Sequence, residues 1–474
     1  MRNLKNNRIP NHVEKIYLIS ICGTGMGAMA CMLKDLGFQV SGSDQKIYPP
    51  MSTFLAEKGI RIHTGFNKEH ISNGPDLVIV GNAVTKDNPE VLQMQKIGLC
   101  YCSMPQAVNR FMLSRKKPIL VTGTHGKTTT SSILAWMLYG AGMEPSFIIG
   151  GMLQNFLSNY RIGTGDYVVI EGDEYDTAFF DKQPKFLHYN PHLAILSGVE
   201  FDHADIFNDI EHVKQAFSRF VLGMPSKGLL LVHGGDENAS KLTEHLNCRV
   251  EKYGVTRDAI WRLRDVAIDP PWTRFEVSKH GKPFGIFKSR LMGEHNLLNA
   301  LASIAIADHL MVPCKAMAEA LETFQGIKRR QEVRGQKGGI TVMDDFAHHP
   351  TAVRETIQGV KPFYPKGRVI AVFEPRTNSS RRDVFQHIYP LSFDAADLIC
   401  IRKPPLLEKI PLEKRFSSPK LVKDLKQRGK NACYFPDTDR IIDFLVKEAK
   451  SGDLILIMSN GSFDHIHDRL LKRL

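Results

Sequence analysis

The chain has 474 residues, too many for one hydrophobic core, and this length predicts about three domains. Its composition, 43% hydrophobic and 24% charged, is that of an ordinary globular protein, and no apolar run approaches the ~20 residues that span a bilayer. The first residues, MRNLKNNRIPNHVEK, are basic but contain no apolar signal core. We therefore expect a cytoplasmic protein that does not associate with a membrane.

The net charge of +12 admits a polyanionic partner: nucleic acid, a membrane surface or an anionic small molecule. The chain has no lysine-rich tail and no basic amphipathic helix. Its short basic stretches, at 114–118 and 327–335, fall where domain joints are expected. A solvated linker explains these stretches as well as an interaction surface does.

Eight cysteines are scattered along the chain, and only Cys100 and Cys102 are close in sequence. Their spacing places both side chains on the same side of a strand, but no second pair or nearby histidine cluster completes a metal site. We expect reduced thiols, mostly buried, and no structural metal.

Three segments of the chain each alternate apolar strands with turns and helices, which predicts α/β units with parallel sheets and crossover helices. The helix of the first unit is expected to end near Gly37, and that of the second at Gly140–Gly142. The first segment has strands at 15–21, 39–44 and 75–84; the second has strands at 117–123, 166–174 and 193–203 and an amphipathic helix near 293; the third has strand-and-turn stretches at 338–353, 367–376 and 452–467.

A glycine-rich turn follows the strand at 15–21. Its pattern Gly23-x-Gly25-x-Gly27, with Asp44 about 20 residues further on, resembles a dinucleotide fingerprint in which an acidic residue binds a ribose hydroxyl. By itself the pattern is weak, and it would suggest a redox enzyme that uses a nicotinamide or a flavin.

A second glycine-rich loop, GTHGKTT, lies between the strand at 117–123 and a helix. Consecutive backbone N–H groups at a helix N-terminus bind phosphate oxygens; Lys127 is placed to reach the terminal phosphates, and the Thr128 hydroxyl to ligate Mg²⁺. Val121 occupies the position of the first glycine in the full Walker pattern, but the strand–loop–helix context is right for a nucleotide site. The candidate residues are Gly123, Thr124, His125, Gly126, Lys127, Thr128 and Thr129.

Such a site also needs acidic metal ligands at the ends of neighbouring strands. One strand supplies Glu171, Asp173 and Glu174, and the next supplies Asp202, His203 and Asp205. A histidine at a strand end is usually structural, but His203 is flanked by carboxylates beside the predicted Mg²⁺. The predicted metal ligands are Thr128, Glu171 and His203.

Six motifs occur in order along the chain: GTHGKTTT, EGDEYD, DHAD, GEHNLLNA, KRRQE and DDFAHHPT. Together they resemble the Mur ligase family, ATP-dependent amide-forming enzymes of bacterial cell-wall precursor metabolism, over essentially the whole chain. The resemblance implies three α/β domains. These are a Rossmann-like UDP-sugar domain at 1–115, a P-loop ATPase-like ATP domain at 116–330, and a Rossmann-like domain at 331–474 that binds the peptide substrate and closes on ATP. One glycine-rich turn would then bind UDP and the other ATP.

The resemblance also implies roles for individual residues. Lys127, Glu171 and His203 would carry catalysis. The UDP-sugar residues would be Gly23, Thr24, Gly25, Met26, Gly27, Ser43, Asp44, Asn82 and Asn155. The further ATP residues would be His295, Asn296, Asn299, Arg330, Asp345 and His348. Several family members carry a carbamoylated lysine after the DH motif, but here the matching position holds Phe217 and Lys214 is out of register, so no carbamate is expected.

The stretches ISICGTGMGAMA and HHPT resemble the branch that uses UDP-N-acetylmuramate directly. Two reactions of that branch fit: addition of L-alanine, and addition of the recycled tripeptide L-Ala-γ-D-Glu-meso-diaminopimelate. The alanine-adding enzymes usually carry ADESD and a His–Arg–Tyr–Thr-like stretch, which this chain lacks. Five stretches resemble the tripeptide-adding enzymes, at 43–53, 81–91, 171–186, 374–382 and 458–467. We therefore favour the tripeptide reaction, and we expect a monomer without a nucleic-acid partner.

The resemblance implies that the muramate carboxylate attacks the ATP γ-phosphate, which releases ADP and forms an acyl phosphate. The tripeptide's α-amine then attacks the acyl carbonyl, and phosphate leaves from the tetrahedral intermediate. Such catalysis depends on positioning and charge neutralisation. The peptide brings carboxylates, and Arg376, Arg381 and Arg382 follow a predicted strand at the carboxyl end, where such sheets bind ligands. A guanidinium suits a carboxylate, although a solvated basic turn is an equal alternative.

Two other classes of function remain open from the residues alone. An ATP-driven regulatory or nucleic-acid-acting protein would use the same phosphate loop and suit the basic charge, but no arginine-finger or helicase motif set is recognisable. A redox enzyme built on the first turn would carry a nicotinamide or flavin chromophore.

Overall fold

The computed structural model describes residues 6–47, 51–72 and 74–474, so the stretch at 43–53 lies partly outside the described residues. The contacts of the chain divide it into two compact units. The first comprises Met1–Val199, Val213–Lys252 and Ser303–Met317, and the second comprises Glu200–His212, Tyr253–Ala302 and Ala318–Leu474. Each unit is built around sheets that helices cover.

The first unit opens with a five-stranded sheet in the order β3-β2-β1-β4-β5, in which every pairing is parallel. Tyr17, Ile19 and Val80 are buried in its core. The predicted parallel sheet with crossover helices is confirmed here. Its elements are β1 (Lys15–Ile19), α1 (Thr24–Asp35), β2 (Gln39–Asp44), α2 (Met51–Glu57), β3 (Arg61–Thr64), β4 (Leu77–Val80), α3 (Pro89–Ile97), β5 (Tyr101–Ser103) and α4 (Met104–Val108).

The second sheet of this unit has the strand order β13-β12-β6-β9-β7-β8. β6 is buried from Pro118 onwards, because a central parallel strand is covered on both faces. The elements in this part of the chain are β6 (Lys117–Thr122), α5 (Lys127–Gly140), β7 (Ser146–Leu153), β8 (Ser158–Arg161), β9 (Tyr167–Gly172), β10 (Asp176–Ala178), β11 (Asp181–Pro184), β12 (Leu193–Leu196), α6 (Ile210–Leu222), β13 (Leu229–His233) and α7 (Glu237–Leu242).

The middle of the chain contains antiparallel strands that the sequence analysis did not predict. β15 pairs with β16, and β16 with β17, both antiparallel. Their exposed faces carry many charged residues, so the apolar runs are short. The elements are β14 (Arg249–Gly254), β15 (Trp261–Asp269), β16 (Trp272–Lys279), β17 (Lys282–Ser289), α8 (Glu294–His309) and α9 (Cys314–Thr323).

The second unit ends in a six-stranded sheet in the order β18-β19-β23-β20-β21-β22, parallel except for β18. Alternate residues of one strand enter separate cores: Ala371 and Phe373 pack in one, Ile370 and Val372 in the other. Both faces are therefore buried. The elements are β18 (Glu332–Lys337), β19 (Ile340–Asp345), α10 (Pro350–Val360), β20 (Val369–Phe373), α11 (Tyr389–Ser392), β21 (Leu398–Arg402), α12 (Ser418–Gln427), β22 (Ala432–Phe435), α13 (Thr438–Glu448), β23 (Leu454–Met458) and α14 (Ile466–Arg473).

Within the described residues, no helix combines the length and the apolar character needed to cross a membrane.

Candidate nucleotide and substrate sites

The loop after β6 contains two glycines with positive φ, and at the first of them a side chain would also clash. Gly123 has a φ of +124°, and a Cβ there would lie 2.3 Å from the hydroxyl oxygen of Ser197. Gly126 precedes α5 with a φ of 79°, a left-handed conformation that favours glycine. The amide of Thr124 donates to the carbonyl of Gly198 at 2.9 Å. The loop therefore delivers its backbone to the N-terminus of a helix, where anions bind.

Lys127, the first residue of α5, is held by the loop and by an acidic residue. Its Nζ donates to the carbonyl of Gly123 at 2.6 Å and to Oε2 of Glu174 at 2.8 Å. Burial by itself would lower the pKa of Lys127, but the carboxylates of Glu174, Asp173 and Glu171 outweigh it and raise that pKa. The lysine is therefore a permanent cation beside the predicted phosphate site.

Thr128 and Glu171 lie together, as their predicted role requires. Thr128 Oγ1 donates to Oε2 of Glu171 at 3.1 Å, and the backbone amide of Gly150 donates to Oε1 at 2.6 Å. Hydroxyl and carboxylate oxygens are the ligands that Mg²⁺ prefers in proteins. The donor set at this edge of the sheet therefore fits Mg²⁺.

Lys185 is a cation beside Asp173 that the sequence did not predict. The carboxylate of Asp173 forms an ion pair with Lys185 at 3.1 Å, and Lys185 Nζ lies 4.3 Å from the ring centroid of Tyr175. Burial alone would raise the pKa of Asp173, but Lys185 and Lys127 hold it below its usual value. Lys185 carries no motif signal, and only the fold brings it to the acidic strand end.

The first glycine-rich stretch follows β1: Gly23 directly precedes α1, and Thr24, Gly25, Met26 and Gly27 are the first four residues of that helix. A Cβ at Gly27 would lie 2.3 Å from the methyl carbon of Met51, so a larger residue there would displace the flexible end of that methionine. The carboxylate of Asp44 accepts from the amide of Cys22 at 2.9 Å. In this structure Asp44 thus orders the turn, and its second oxygen accepts from the amide of Lys46 at 3.1 Å.

The other predicted UDP-sugar residues differ in their surroundings. Ser43 is fully buried and donates to Oε2 of Glu90 at 2.5 Å, so its hydroxyl is used inside the domain. Asn82 is exposed in the turn after β4, and Asn155 lies between β7 and β8. Asn159, which the sequence analysis missed, is buried and donates from Nδ2 to the carbonyl of Thr24 at 3.1 Å. It therefore ties β8 directly to the turn.

In the second unit, two of the predicted nucleotide asparagines interact at the start of α8. Asn299 Nδ2 donates to Oδ1 of Asn296 at 3.3 Å, and Asn296 Nδ2 donates to Oε1 of Gln331 at 3.0 Å. His295 is the adjacent residue of the same helix. Gln331 is a residue that the sequence analysis passed over within the motif KRRQE.

Gln331 also connects these asparagines to Asp345. Its backbone amide donates to Oδ2 of Asp345 at 2.8 Å, and the amide of Ala347 donates to Oδ1 at 2.7 Å. Burial raises the pKa of Asp345, and the charge of Arg330 opposes that effect only in part. The guanidinium of Arg330 lies 4.6 Å from the ring centroid of Phe346. Asn296, Asn299, Arg330 and Asp345 thus form one group.

His203 and His348 form a second group around the buried carboxylate of Asp202. Ser379 Oγ and the backbone amide of His203 each donate to Oδ1 of Asp202 at 2.7 Å, and His348 Nε2 lies 3.7 Å from Oδ2. Burial would raise the pKa of Asp202, but the interaction with His348 outweighs it and holds that pKa well below its usual value. Asp202 therefore stays ionised, bonded to the backbone of His203 and close to the imidazole of His348.

The three candidate arginines for the peptide do not have equal surroundings. Arg381 is buried, and each of its guanidinium nitrogens donates to the protein. Burial first, and then the charges of Arg376 and Arg382, lower the pKa of Arg381, so the three cations lie near one another. The acceptors of Arg381 are the carbonyl of Thr377 at 3.3 Å, the carbonyl of Leu406 at 3.1 Å and Oδ1 of Asn378 at 2.7 Å.

Arg376 and Arg382 are less constrained. Arg376 Nη1 lies 3.8 Å from Oε2 of Glu374, beyond hydrogen-bond length, and its side chain is 32% exposed. Arg382 Nε is buried and has no hydrogen-bond partner within the part of the chain that the structure describes. Arg376, which is partly exposed, therefore keeps donors that a bound carboxylate can use.

The position expected for a carbamoylated lysine is a core position. Phe217 on α6 is fully buried, and its ring lies 5.2 Å from that of Phe186. An aromatic core residue there leaves no room for a charged carbamate at the same position.

A Walker-type loop on one sheet and a second glycine-rich turn on another are the arrangement expected of an α/β protein that binds two nucleotides. The family models match in order along the chain: "Mur ligase family, catalytic domain" at 15–116, "Mur ligase middle domain" at 121–307, and "Mur ligase, glutamate ligase domain" at 329–461. The chain belongs to the Mur ligase family, whose members are ATP-dependent and form amide bonds, and it has the three-domain α/β fold of that family.

Three relatives show how close the likeness is. The chain is 38% identical to the UDP-N-acetylmuramate–L-alanyl-γ-D-glutamyl-meso-2,6-diaminoheptandioate ligase of Haemophilus influenzae, over 98% of this chain and 99% of the relative. It is 34% identical to the UDP-N-acetylmuramate–L-alanine ligase of Desulforamulus reducens, over 97% and 98%. The solved structure of a murein peptide ligase from Psychrobacter arcticus superposes with a TM-score of 0.73 at 34% identity and covers 98% of both chains.

Proposed function

We propose that this chain joins UDP-N-acetylmuramate to L-Ala-γ-D-Glu-meso-diaminopimelate through an acyl-phosphate intermediate with release of ADP and phosphate from ATP, a step of peptidoglycan recycling. The observation that carries the ATP-driven part is the contact of Thr128 with Glu171 beside the glycine loop, 3.1 Å between oxygens. The tripeptide is supported by the names of the relatives, because the tripeptide ligase is 38% identical and the alanine ligase 34%.

In the proposed mechanism, the loop amides at the N-terminus of α5 and the cation of Lys127 bind the β- and γ-phosphates of ATP. Thr128 and Glu171 would hold Mg²⁺. When bound, Mg²⁺ neutralises phosphate charge and so assists transfer of the γ-phosphoryl group to the muramate carboxylate. Lys127 stays protonated throughout, because its carboxylate neighbours raise its pKa.

His203 is proposed as a further metal ligand near the acyl phosphate. Asp202 accepts from the backbone amide of His203, which fixes the backbone that carries the imidazole. Imidazole suits Mg²⁺ less well than oxygen does, so this role rests on the family resemblance and on the neighbouring carboxylate. Asp202 also lies near His348, which is proposed to meet the nucleotide together with Asp345 and Arg330.

The substrates would occupy the domains in the order of the chain. We assign UDP-N-acetylmuramate to 1–115, ATP to 116–330 and the tripeptide to 331–474, and the ranges of the three family models support these bounds. The UDP-sugar would contact the turn at Gly23–Gly27 together with Ser43, Asp44, Asn82 and Asn155. The peptide carboxylates would meet Arg376 and Arg382. Because ATP and the UDP-sugar are cytoplasmic metabolites, we propose that the reaction takes place in the cytoplasm. We also propose that the enzyme is a monomer.

The decisive experiment is a panel of amine substrates with saturating ATP and UDP-N-acetylmuramate, scored by phosphate release and by mass of the product. The proposal predicts that the tripeptide has the highest kcat/KM. Preference for free L-alanine would overturn it in favour of the second candidate, the alanine ligase, which 34% identity to such an enzyme keeps open. Phosphate release stimulated by nucleic acid instead of the UDP-sugar would contradict both.

A further inference from the structure

A buried acidic residue lies beside the peptide arginines, and no role has been assigned to it. Glu374 directly follows β20 and is fully buried. Arg402, the last residue of β21, contacts its Oε1, and Ser459, which follows β23, donates to its Oε2 at 2.6 Å. β23, β20 and β21 are neighbours in the sheet. The cluster therefore lies at the carboxyl edge, where open α/β sheets bind ligands.

Arg376 lies beside this cluster, but its guanidinium is beyond hydrogen-bond distance of Glu374. Its Nη1 is 3.8 Å from Oε2 of Glu374, whereas Arg402 and Ser459 make direct contacts. Its guanidinium also lies against Gly461, where a Cβ would be 2.2 Å from Cδ and Nε of Arg376. The turn at 459–461 is thus the surface on which Arg376 lies.

That turn is itself attached to Glu374. The amide of Gly461 donates to Oγ of Ser459 at 3.0 Å, and the same hydroxyl donates to Glu374. Arg329 Nη2 holds the carbonyls of Ser459 and Gly461 at 2.6 and 2.7 Å. The turn is therefore fixed from both ends, and Arg376 has a defined place beside it.

Arg402, and not Arg376, is the cation that pairs with the buried carboxylate of Glu374. A fully buried carboxylate requires a cationic partner, because leaving it unpaired is strongly unfavourable. Arg402 meets that requirement, and its side chain is only 13% exposed. Its Nη2 also contacts Oδ2 of Asp464 at 2.5 Å, which fixes its orientation. The guanidinium of Arg376, which is more exposed, then remains available to bind another anion.

We infer that Arg402 is a positioning residue for peptide recognition: by neutralising Glu374 it keeps Arg376 available for a carboxylate of the peptide substrate. Without Arg402, Glu374 takes Arg376 as its partner, and the peptide loses a guanidinium. Arg402 itself does not touch the peptide. The inference rests on the proposed function, since it presupposes a peptide with carboxylates in this domain.

The test is a charge-rescue cycle on the full-length enzyme with R402M and the double variant E374Q/R402M. R402M is expected to raise the KM for the tripeptide about ten-fold, the loss of roughly one charge-assisted hydrogen bond. The KM values for ATP and UDP-N-acetylmuramate should stay near those of the parent enzyme. E374Q/R402M removes the competing carboxylate, so its tripeptide KM should return to within about two-fold of the parent value.

R368M is the matched control. Arg368 pairs with the buried Asp453 at 2.7 Å at the opposite edge of the same sheet, so R368M disrupts a comparable ion pair away from the peptide. It is expected to lower the melting temperature and leave the tripeptide KM unchanged. A rise in tripeptide KM in R368M equal to that in R402M would show a general loss of structure and overturn the inference.

Two further results overturn the inference. One is a tripeptide KM in R402M equal to that of the parent enzyme, and the other is a tripeptide KM in E374Q/R402M that stays as high as in R402M. If R402M does not fold, the inference is tested with E374Q/R402M alone, because that variant contains no unpaired buried carboxylate at position 374. A tripeptide KM about ten-fold above the parent value in E374Q/R402M contradicts the inference. The parent enzyme is assayed first. Failure of the parent to use the tripeptide contradicts the proposed function, whereas unaltered KM values in the variants contradict only the role of Arg402.

Discussion

Thr128 Oγ1 donates to Glu171 Oε2 across 3.1 Å, and this contact joins the first turn of α5 to the end of β9. The two residues are 43 positions apart in sequence. Glu171 lies near the end of β9, and the loop before α5 follows β6, which pairs with β9 in parallel. The pair is therefore where the proposed ATP site would offer oxygen ligands to Mg²⁺.

Replacement of Glu171 tests this pair. E171Q keeps the size of the side chain and removes its charge, so Mg²⁺ should bind more weakly and the Mg²⁺ concentration for half-maximal rate should rise about ten-fold or more. The measurement is a Mg²⁺ titration of phosphate release at saturating ATP. E237Q, at an exposed residue of α7, is the control, and an equal shift in both variants would exclude Glu171 as a ligand.

Replacement of Lys127 tests the phosphate loop. K127M removes a cation matched to transferring phosphate, and kcat should fall by roughly two orders of magnitude or more. It also removes the 2.8 Å contact between Lys127 and Glu174, so a moderate loss of stability is expected. Binding of UDP-N-acetylmuramate, measured by calorimetry, should survive. Loss of both ATP and UDP-sugar binding in a folded K127M protein would contradict the assignment of the two nucleotides to different domains.

Arg381 and Arg376 should respond differently to replacement by alanine. Arg381 is buried and its guanidinium bonds are all to the protein, so R381A should destabilise the fold by about 1–3 kcal/mol. R376A should raise the tripeptide KM about ten-fold and leave the melting temperature nearly unchanged. Thermal unfolding and steady-state kinetics on both variants separate the two effects. The opposite pattern would assign Arg381 to the peptide and Arg376 to the fold.

Asp453 should make the stability of the protein depend on pH. Burial would raise its pKa, but hydrogen bonds from Arg368 and from backbone amides outweigh it and lower that pKa. A depressed carboxyl pKa stabilises the fold above the ordinary Asp value, and this contribution is lost as pH falls through the folded-state pKa. D453N should therefore unfold more easily at pH 7, and the difference from the parent protein should shrink below about pH 4.

Chemical denaturation at several pH values measures this dependence. D443N, at an exposed ion pair with Arg473, should change stability by less than about 1 kcal/mol at any pH. A difference between D453N and the parent protein that stays constant down to pH 3 would contradict the depressed pKa of Asp453.

The sequence alone determined the elements that strong local patterns encode. The strands at β1, β6, β9 and β20 are continuous apolar runs bounded by glycines or charged residues, and α5 and α8 have helical periodicity, so each was predicted and confirmed. The order of the motifs was sufficient for the family, because a phosphate loop, its acidic residues and their spacing are local features of the chain. The antiparallel strands β15–β17 escaped prediction, since their charged faces interrupt the apolar alternation.

Tertiary structure alone decided which polar side chains meet. Lys185 reaches Asp173, Gln331 links Asn296 to Asp345, and Arg402 pairs with Glu374, although no spacing along the chain predicts these contacts. It also separated three arginines of one turn, burying Arg381 while leaving Arg376 partly exposed. Local sequence specifies strands and turns through backbone preferences and hydrophobic burial. The partner of a buried charge is instead set by which strand ends the sheet places side by side.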